Sequence, residues 1–223
     1  MAARLIVLGR QGAGKGTQCA RLAGRLGISH VSTGDLFRAE IDSGSALGRE
    51  LADYVTAGEL VPDEVVLDVV ARNLGSSTTR AGGYLLDGFP RTLAQGQALF
   101  EVLGAGAADL ALEIDVPVEV VIDRLASRRV CADCKAITSV ADAIEHLRCK
   151  DCDGELVRRE DDHPDAIARR LSLYDEQAGP LLLWLDSQAI LETVDGLGPP
   201  DEVHERVFAS VAQRVPVVRT TVC

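Results

Sequence analysis

The 223-residue chain is long enough for one sizeable core carrying small inserted subdomains. Its formal net charge of −11 excludes general nucleic-acid binding, which needs a basic surface, but permits a phosphate ligand if arginines gather in one cleft. No apolar run approaches the roughly 20 residues that span a bilayer, and the N-terminus carries no charged leader and cleavage site, so a cytoplasmic protein without membrane contact is expected.

The apolar run at residues 5–8 reads as a buried strand. It enters GRQGAGKGT at 9–17, and beyond that Cys19, Ala20, Leu22, Ala23 and Leu26 recur on one face of a helix. A strand, a glycine-rich turn and a helix N-terminus make a phosphate cradle, in which backbone N–H groups converge on an anion and Lys15 adds a full positive charge. The general phosphate-loop pattern places Ser or Thr after the lysine to ligate magnesium; here Gly16 stands there and Thr17 follows one place later. A metal-binding oxygen must therefore come from elsewhere.

Residues 28–31 read as a second strand, and STGD at 32–35 as a helix start. Two short helical stretches follow, split at Gly44 and Gly48 and ending near Gly58. A helix restarts at Pro62 and runs to about Leu74, with Asp63 and Glu64 in its first turn. After a polar loop at 75–83, the run YLLD at 84–87 is a buried strand ending in a carboxylate, and a helix covers about 92–103. Residues 110–116 form a fourth strand, and Pro117 opens a helix to about Arg129, which would put Arg124 and Arg128 on one face. The stretch 130–162 is rich in cysteine and charge. Pro164 then opens a long helix to about Asp186, 189–194 give a fifth strand, and 200–213 a last helix. The tail 215–223 is apolar and has no functional reading. Strands alternating with helices predict an α/β fold, a five-stranded parallel sheet covered by helices on both faces.

In such a sheet the ligand sits beyond the carboxyl ends of the strands. That brings together the loop at 9–17, the turn at 32–35 and the segment 87–92. Asp87 ends a strand beside the phosphate loop and can hold magnesium through bound water, supplying what Gly16 lacks. Arg38, Arg91, Arg124, Arg128, Arg159 and Arg170 recur near segment ends, and in an acidic protein they are best explained as forks for phosphate oxygens. His30, His146, His163 and His204 are scattered, with no Ser–His–Asp or Cys–His arrangement. Phosphoryl transfer between phosphates fits this, because it needs mainly positioning and charge neutralisation.

Of six cysteines, Cys131, Cys134, Cys149 and Cys152 form two Cys-x-x-Cys knuckles separated by fourteen residues. That spacing suits a closed four-thiolate zinc site, read as a structural clip for a subdomain too small to hold itself. Redox-active dithiols and a zinc ribbon touching nucleic acid are the rival readings.

With these residues in hand the sequence resembles an adenylate kinase of the bacterial long-lid, zinc-bearing type, over residues 5 to about 211. The markers are GAGKGTQ at 12–18, STGDLFR at 32–38, GELVPDE at 58–64, YLLDGFPRT at 84–92, the Arg124/Arg128 pair, and RxDD at 159–162 with Arg170. The resemblance implies reversible, magnesium-dependent transfer of the terminal phosphoryl group of ATP to AMP, giving two ADP. It implies that Gly12, Ala13, Gly14, Lys15, Gly16 and Thr17 hold the ATP phosphates, with Arg124 and Arg128 also on ATP. AMP would meet Thr33, Arg38, Gly58, Glu59, Leu60, Val61, Gly88, Arg91 and Gln95, with Arg159 and Arg170 shared between the substrates. Lys15, Arg38, Arg91, Arg128, Arg159 and Arg170 would be catalytic. The implied division is a core of 1–31, 62–129 and 163–223, an AMP-binding flap of 32–61 and a zinc-bearing lid of 130–162, in a monomer.

Two departures stand out. The family usually has Pro where this chain has Gln11, which adds a backbone donor and loop freedom, so altered kinetics are expected rather than lost function. The lid between its knuckles is shorter than usual and lacks the usual aromatic and proline residues, which bears on contacts from its tip to ATP. The rivals are a UMP/CMP kinase of the same fold, against which Thr33, Thr92 and the long lid speak, and a nucleotide-binding protein whose zinc module contacts a partner.

Overall fold

The N-terminal apolar run becomes the central strand of a parallel sheet in the computed structural model, which describes residues 3–74, 82–104, 106–139 and 148–215. Most of the expected loop at 75–83, the lid stretch 140–147 and the tail from 216 lie outside the described residues. In β1 (Arg4–Leu8), Leu5 and Val7 face one apolar cluster while Ile6 and Leu8 face another. Side chains alternate across a strand, so a strand covered on both faces must be apolar throughout.

β2 (Ser29–Ser32), β3 (Tyr84–Asp87), β4 (Leu110–Asp115) and β8 (Leu191–Asp195) complete the sheet in the order β2-β3-β1-β4-β8, with every pairing parallel. Ile6 lies between Leu86 and Ala111, and Val7 is in register with Asp87. The chain leaves β1 toward one edge and later returns to its other side at β4. The ends of β1 and its neighbours therefore open on a crevice where a ligand binds in this architecture.

One face carries α1 (Lys15–Leu26), α6 (Val118–Ser127) and α8 (Pro200–Arg214), through Leu22, Leu125 and Val207 among others. The other carries α2 (Thr33–Asp42), α3 (Ala46–Ala57), α4 (Asp63–Leu74) and α5 (Leu93–Leu103). The 24-residue α7 (Pro164–Ser187) serves both: Ile167 and Leu171 join the first cluster, Leu181 and Leu185 the second. Ser32, Ser45 and Thr92 cap α2, α3 and α5 by accepting from backbone N–H groups three residues on.

Two local expectations are corrected. The break between α2 and α3 falls at 43–45, and Gly48 lies inside α3. A β-carbon there would stand 2.1 Å from the Glu40 carbonyl oxygen, so this glycine allows two helices to touch rather than ending one. α6 stops at Ser127, and Arg128 opens a strand, with φ −62° and ψ 137°, instead of sharing the helix with Arg124. The chain is drawn out of the helix by antiparallel pairing of β5 (Arg128–Cys131) with β6 (Ile137–Ser139) and β7 (Leu156–Val157).

Candidate active site

The phosphate loop closes on itself through a left-handed glycine. Gly14 has φ 96° and directly precedes α1, which begins at Lys15. Gly12 also has positive φ, and a β-carbon there would stand 2.9 Å from Leu125, so the loop packs directly on α6. The Lys15 ammonium donates to the carbonyls of Gly9 and Arg10, at 2.8 and 3.0 Å. Its deep setting lowers its pKa to about 8, opposed by Asp87 and reinforced by Arg91 and Arg128.

This loop forms one wall of a cleft of about 560 Å³ that is lined by α2, residues 58–61, the 87–91 turn, the end of α6, β6 and α7. Lys15, Arg38, Arg91, Arg124, Arg128, Arg159 and Arg170 all line it, beside Asp87. The loss of Arg128 from the helix does not remove it from this group. Burial, then Arg170, lowers the pKa of Arg91 to about 10, while burial, Arg38 and Arg128 lower that of Arg159 to about 10.

Each cation is held by a particular part of the fold. Arg124 donates to the carbonyls of Ala13 and Gly196, both at 3.3 Å, bridging the phosphate loop and the turn after β8. Arg91 donates to the Gly88 carbonyl at 2.8 Å, and Arg38 pairs with Asp35. Arg128 grips both oxygens of the fully buried Asp162 as a fork. Arg170 donates to the Asp161 carboxylate at 2.7 Å, to the Val55 carbonyl at 2.9 Å and to Gln11 Oε1 at 3.0 Å. Nearby Arg170 holds the Asp161 carboxyl below its ordinary pKa against the opposing pull of burial, and Arg38 and Arg159 act in the same direction.

Gly58, Glu59, Leu60, Val61 and Gly88 lie on the cleft wall, as do Gly12, Ala13, Gly14, Gly16 and Thr17. Thr33 and Gln95 are buried behind that wall. Thr33 Oγ1 donates toward the Gly88 carbonyl at 3.2 Å, whereas the Gln95 carboxamide accepts from Arg91 N at 2.8 Å and donates to Asp63 at 2.6 Å. Glu59 forms an exposed pair with Arg169 at 2.8 Å. The Gln95–Asp63 and Arg128–Asp162 bonds join residues 32 and 34 places apart, and neither was legible in sequence spacing. The DD of the RxDD run signalled that acids belong here without naming their partners.

Asp87 Oδ2 lies 3.6 Å from where a β-carbon on Gly16 would stand. The carboxylate thus faces the place from which a Ser or Thr at that position would have offered its hydroxyl. One carboxylate beside a phosphate loop fits magnesium, which keeps several waters and takes the rest of its oxygens from phosphates.

In the insert, the ligand atoms of Cys131, Cys134, Cys149 and Cys152 all lie within 4.8 Å of one another. The Cys131–Cys152 and Cys134–Cys149 sulfurs are 3.4 and 3.6 Å apart. Zinc–sulfur bonds of about 2.3 Å in a tetrahedron place sulfurs about 3.8 Å apart, so the cluster is compatible with zinc. Against the pull of burial, N–H donation from Cys134 and Asp133 brings the Cys131 thiol down to about 7. Lys135 and Asp153 follow the knuckles with positive φ of 62° and 61°, turning the chain back over the sulfurs. Among the described residues only Leu156 and a partly buried Ala136 pack on Cys131 and Cys149, a core too small to hold the insert together.

The model of the adenylate kinase family matches residues 7–190. The chain is 40% identical to an adenylate kinase of Agathobacter rectalis, over 94% of this chain and 100% of that protein. It is 43% identical to an adenylate kinase of Symbiobacterium thermophilum, over 93% and 97%, and 40% identical to one of Thermodesulfovibrio yellowstonii, over 95% and 100%. The cleft, the parallel sheet and these matches agree in extent, and the chain belongs to the adenylate kinase family.

Proposed function

We propose that the protein transfers the terminal phosphoryl group of ATP to AMP, reversibly, giving two ADP. The observation that carries this reading is the convergence of seven cations, against four carboxylates (Asp35, Glu59, Asp87 and Asp161), in a single cleft of a chain whose net charge is −11. The phosphates of two nucleotides facing each other across that cleft would bring several negative charges together. Lysine and arginine forks neutralise them, and little covalent chemistry is asked of the protein.

In this reading the backbone of 12–17 and Lys15 cradle the ATP phosphates, and Arg124 and Arg128 reach the same nucleotide from the far wall. Arg38 and Arg91 hold the AMP phosphate, residues 58–61 lie along its base, and Thr33, Gly88 and Gln95 set the shape of that pocket. Since Gln95 is held by Arg91 N and Asp63, it would read a base only by releasing one of them. Arg159 and Arg170 sit between the two sides and meet the transferring group. Asp87 would hold magnesium through water, and the metal would supply further neutralisation of phosphate charge there.

Residues 32–61 act as a flap over AMP and 130–162 as a lid over ATP, on a core of the remaining residues. Closing both excludes water and suppresses hydrolysis. Cys131, Cys134, Cys149 and Cys152 would hold zinc, which would keep the lid rigid as one piece and take no part in the chemistry. One chain supplies every cation, so the reading needs no second copy, and the cytoplasm is the compartment that suits a monomeric adenine-nucleotide enzyme. Among the described residues no helix is long and apolar enough to cross a membrane.

Replacing Lys15 tests the reading. Lys15→Ala should remove nearly all ATP–AMP phosphotransfer while leaving the thermal transition close to that of the parent. Full transfer in this variant would contradict it.

A further inference from the structure

Behind the phosphate loop stand two side chains that neither the cleft chemistry nor the lid employs, Cys19 and His30, and both approach Asp87. Cys19 on α1 is fully buried, His30 lies on β2, and Asp87 ends the adjacent β3. His30 Nε2 is 3.3 Å from Asp87 Oδ2. One ligand atom from each of Cys19, His30 and Asp87 lies within 4.8 Å of the other two.

Sulfur, imidazole nitrogen and carboxylate oxygen together form a donor set for zinc-like cations rather than for magnesium, which takes oxygens. Zinc bond lengths in a tetrahedron put such atoms about 3.4–3.6 Å apart. The histidine–carboxylate edge is already close to that length, so closing the triangle requires movement of at most about 1 Å, mainly toward the Cys19 sulfur. Burial pushes the Cys19 thiol up, and Asp87 pushes it the same way, so at rest it is a neutral thiol.

We propose that Cys19, His30 and Asp87 form a binding site for a thiophilic divalent cation, zinc in the first instance, whose occupation withdraws Asp87 from magnesium and inhibits phosphoryl transfer. The cation enters from the cleft, which Asp87 lines. On binding, the Cys19 S–H bond breaks, a sulfur–metal bond forms and one proton goes to solvent. Three protein ligands leave the fourth position to water, in contrast to the closed four-cysteine set of the lid. The inhibitory consequence rests on the magnesium role proposed for Asp87, whereas the existence of the site does not.

The test uses full-length protein with the lid already loaded with one zinc per chain. Cobalt is added, and the near-ultraviolet absorption of a thiolate–cobalt bond is recorded for the parent, Cys19→Ala, Cys19→Ser and His30→Gln. Nucleotide turnover is then followed directly at buffered free zinc, at low and high magnesium. The proposal expects a thiolate–cobalt band in the parent that vanishes in both Cys19 variants. It also expects zinc inhibition relieved by magnesium and weakened by more than about tenfold in all three variants, tenfold being the least that even outer partners of a metal site contribute. Absence of the band, or its persistence without Cys19, overturns the site. A Cys19-dependent band with no effect on turnover overturns the competition for Asp87 and leaves the phosphotransfer reading standing. Equal zinc inhibition in all four proteins overturns the assignment of inhibition to these residues.

Discussion

Arg170 donates from Nη1 to Gln11 Oε1 at 3.0 Å, joining the long helix α7 to the phosphate loop. The same guanidinium holds Asp161 at the end of the lid and the Val55 carbonyl at the end of α3. One side chain thus touches all three regions that the proposed reaction must bring together. The Gln11 carboxamide is neutral, and of these partners it is the least costly for a phosphate oxygen to displace.

Gln11→Ala should therefore free one Arg170 donor while Asp161 and Val55 still hold the side chain. The lost bond is worth about 1 kcal/mol, so KM for nucleotide should fall by up to about fivefold with kcat little changed. Steady-state kinetics with each substrate varied in turn decides this. A large fall in kcat would instead make Gln11 a positioning residue for the transferring group.

Arg128 and Asp162 form a nearly dry pair, with side-chain exposures of 13% and 0%. Asp162→Ala leaves the guanidinium without its fork partner in a buried setting. Breaking such a pair from one side costs about 3 kcal/mol, the low end of the usual range because Arg128 opens onto the cleft. Denaturant unfolding should show this loss, and an unchanged midpoint would place the pair among weak surface contacts.

Lys15 gives the activity a pH dependence. Its pKa, lowered to about 8 by burial, means that the free protein loses this charge as pH rises through 8. A bound phosphate favours the charged form and raises that pKa. The alkaline limb of kcat/KM for ATP should therefore begin near pH 8, and the limb of kcat at higher pH. Coincident limbs in the two profiles would contradict this.

Removing the lid metal should release close to one zinc per chain and lower thermal stability, since among the described residues only Leu156 and Ala136 pack on the buried knuckle cysteines. The far-ultraviolet signal of the helices should survive chelation, because the two large apolar clusters lie in the core sheet and its helices. Absence of released metal would refute the structural clip.

The core sheet was readable from residues 5–8, 84–87 and 110–116 because strands covered on both faces are apolar throughout. The phosphate loop was readable because glycines at fixed spacing have few other uses. Arg128 was misplaced on a helix because its local spacing suits one, while the pairing that draws it into β5 comes from Ile137–Ser139 further along the chain. Gly48 read as a stop because its reason is the Glu40 carbonyl of another helix. The anchors of the cations, Asp162 for Arg128 and Asp161 and Gln11 for Arg170, were invisible for the same cause. They are long-range bonds between groups whose sequence spacing carries no period.

The most direct test of the central claim is ADP formation from magnesium-ATP with AMP, GMP, UMP and CMP supplied in turn. The account predicts turnover with AMP and little with the other three. A preference for UMP or CMP would contradict the assignment of residues 58–61, Thr33 and Gln95 to an adenine nucleotide, and no turnover with any of the four would contradict phosphoryl transfer itself.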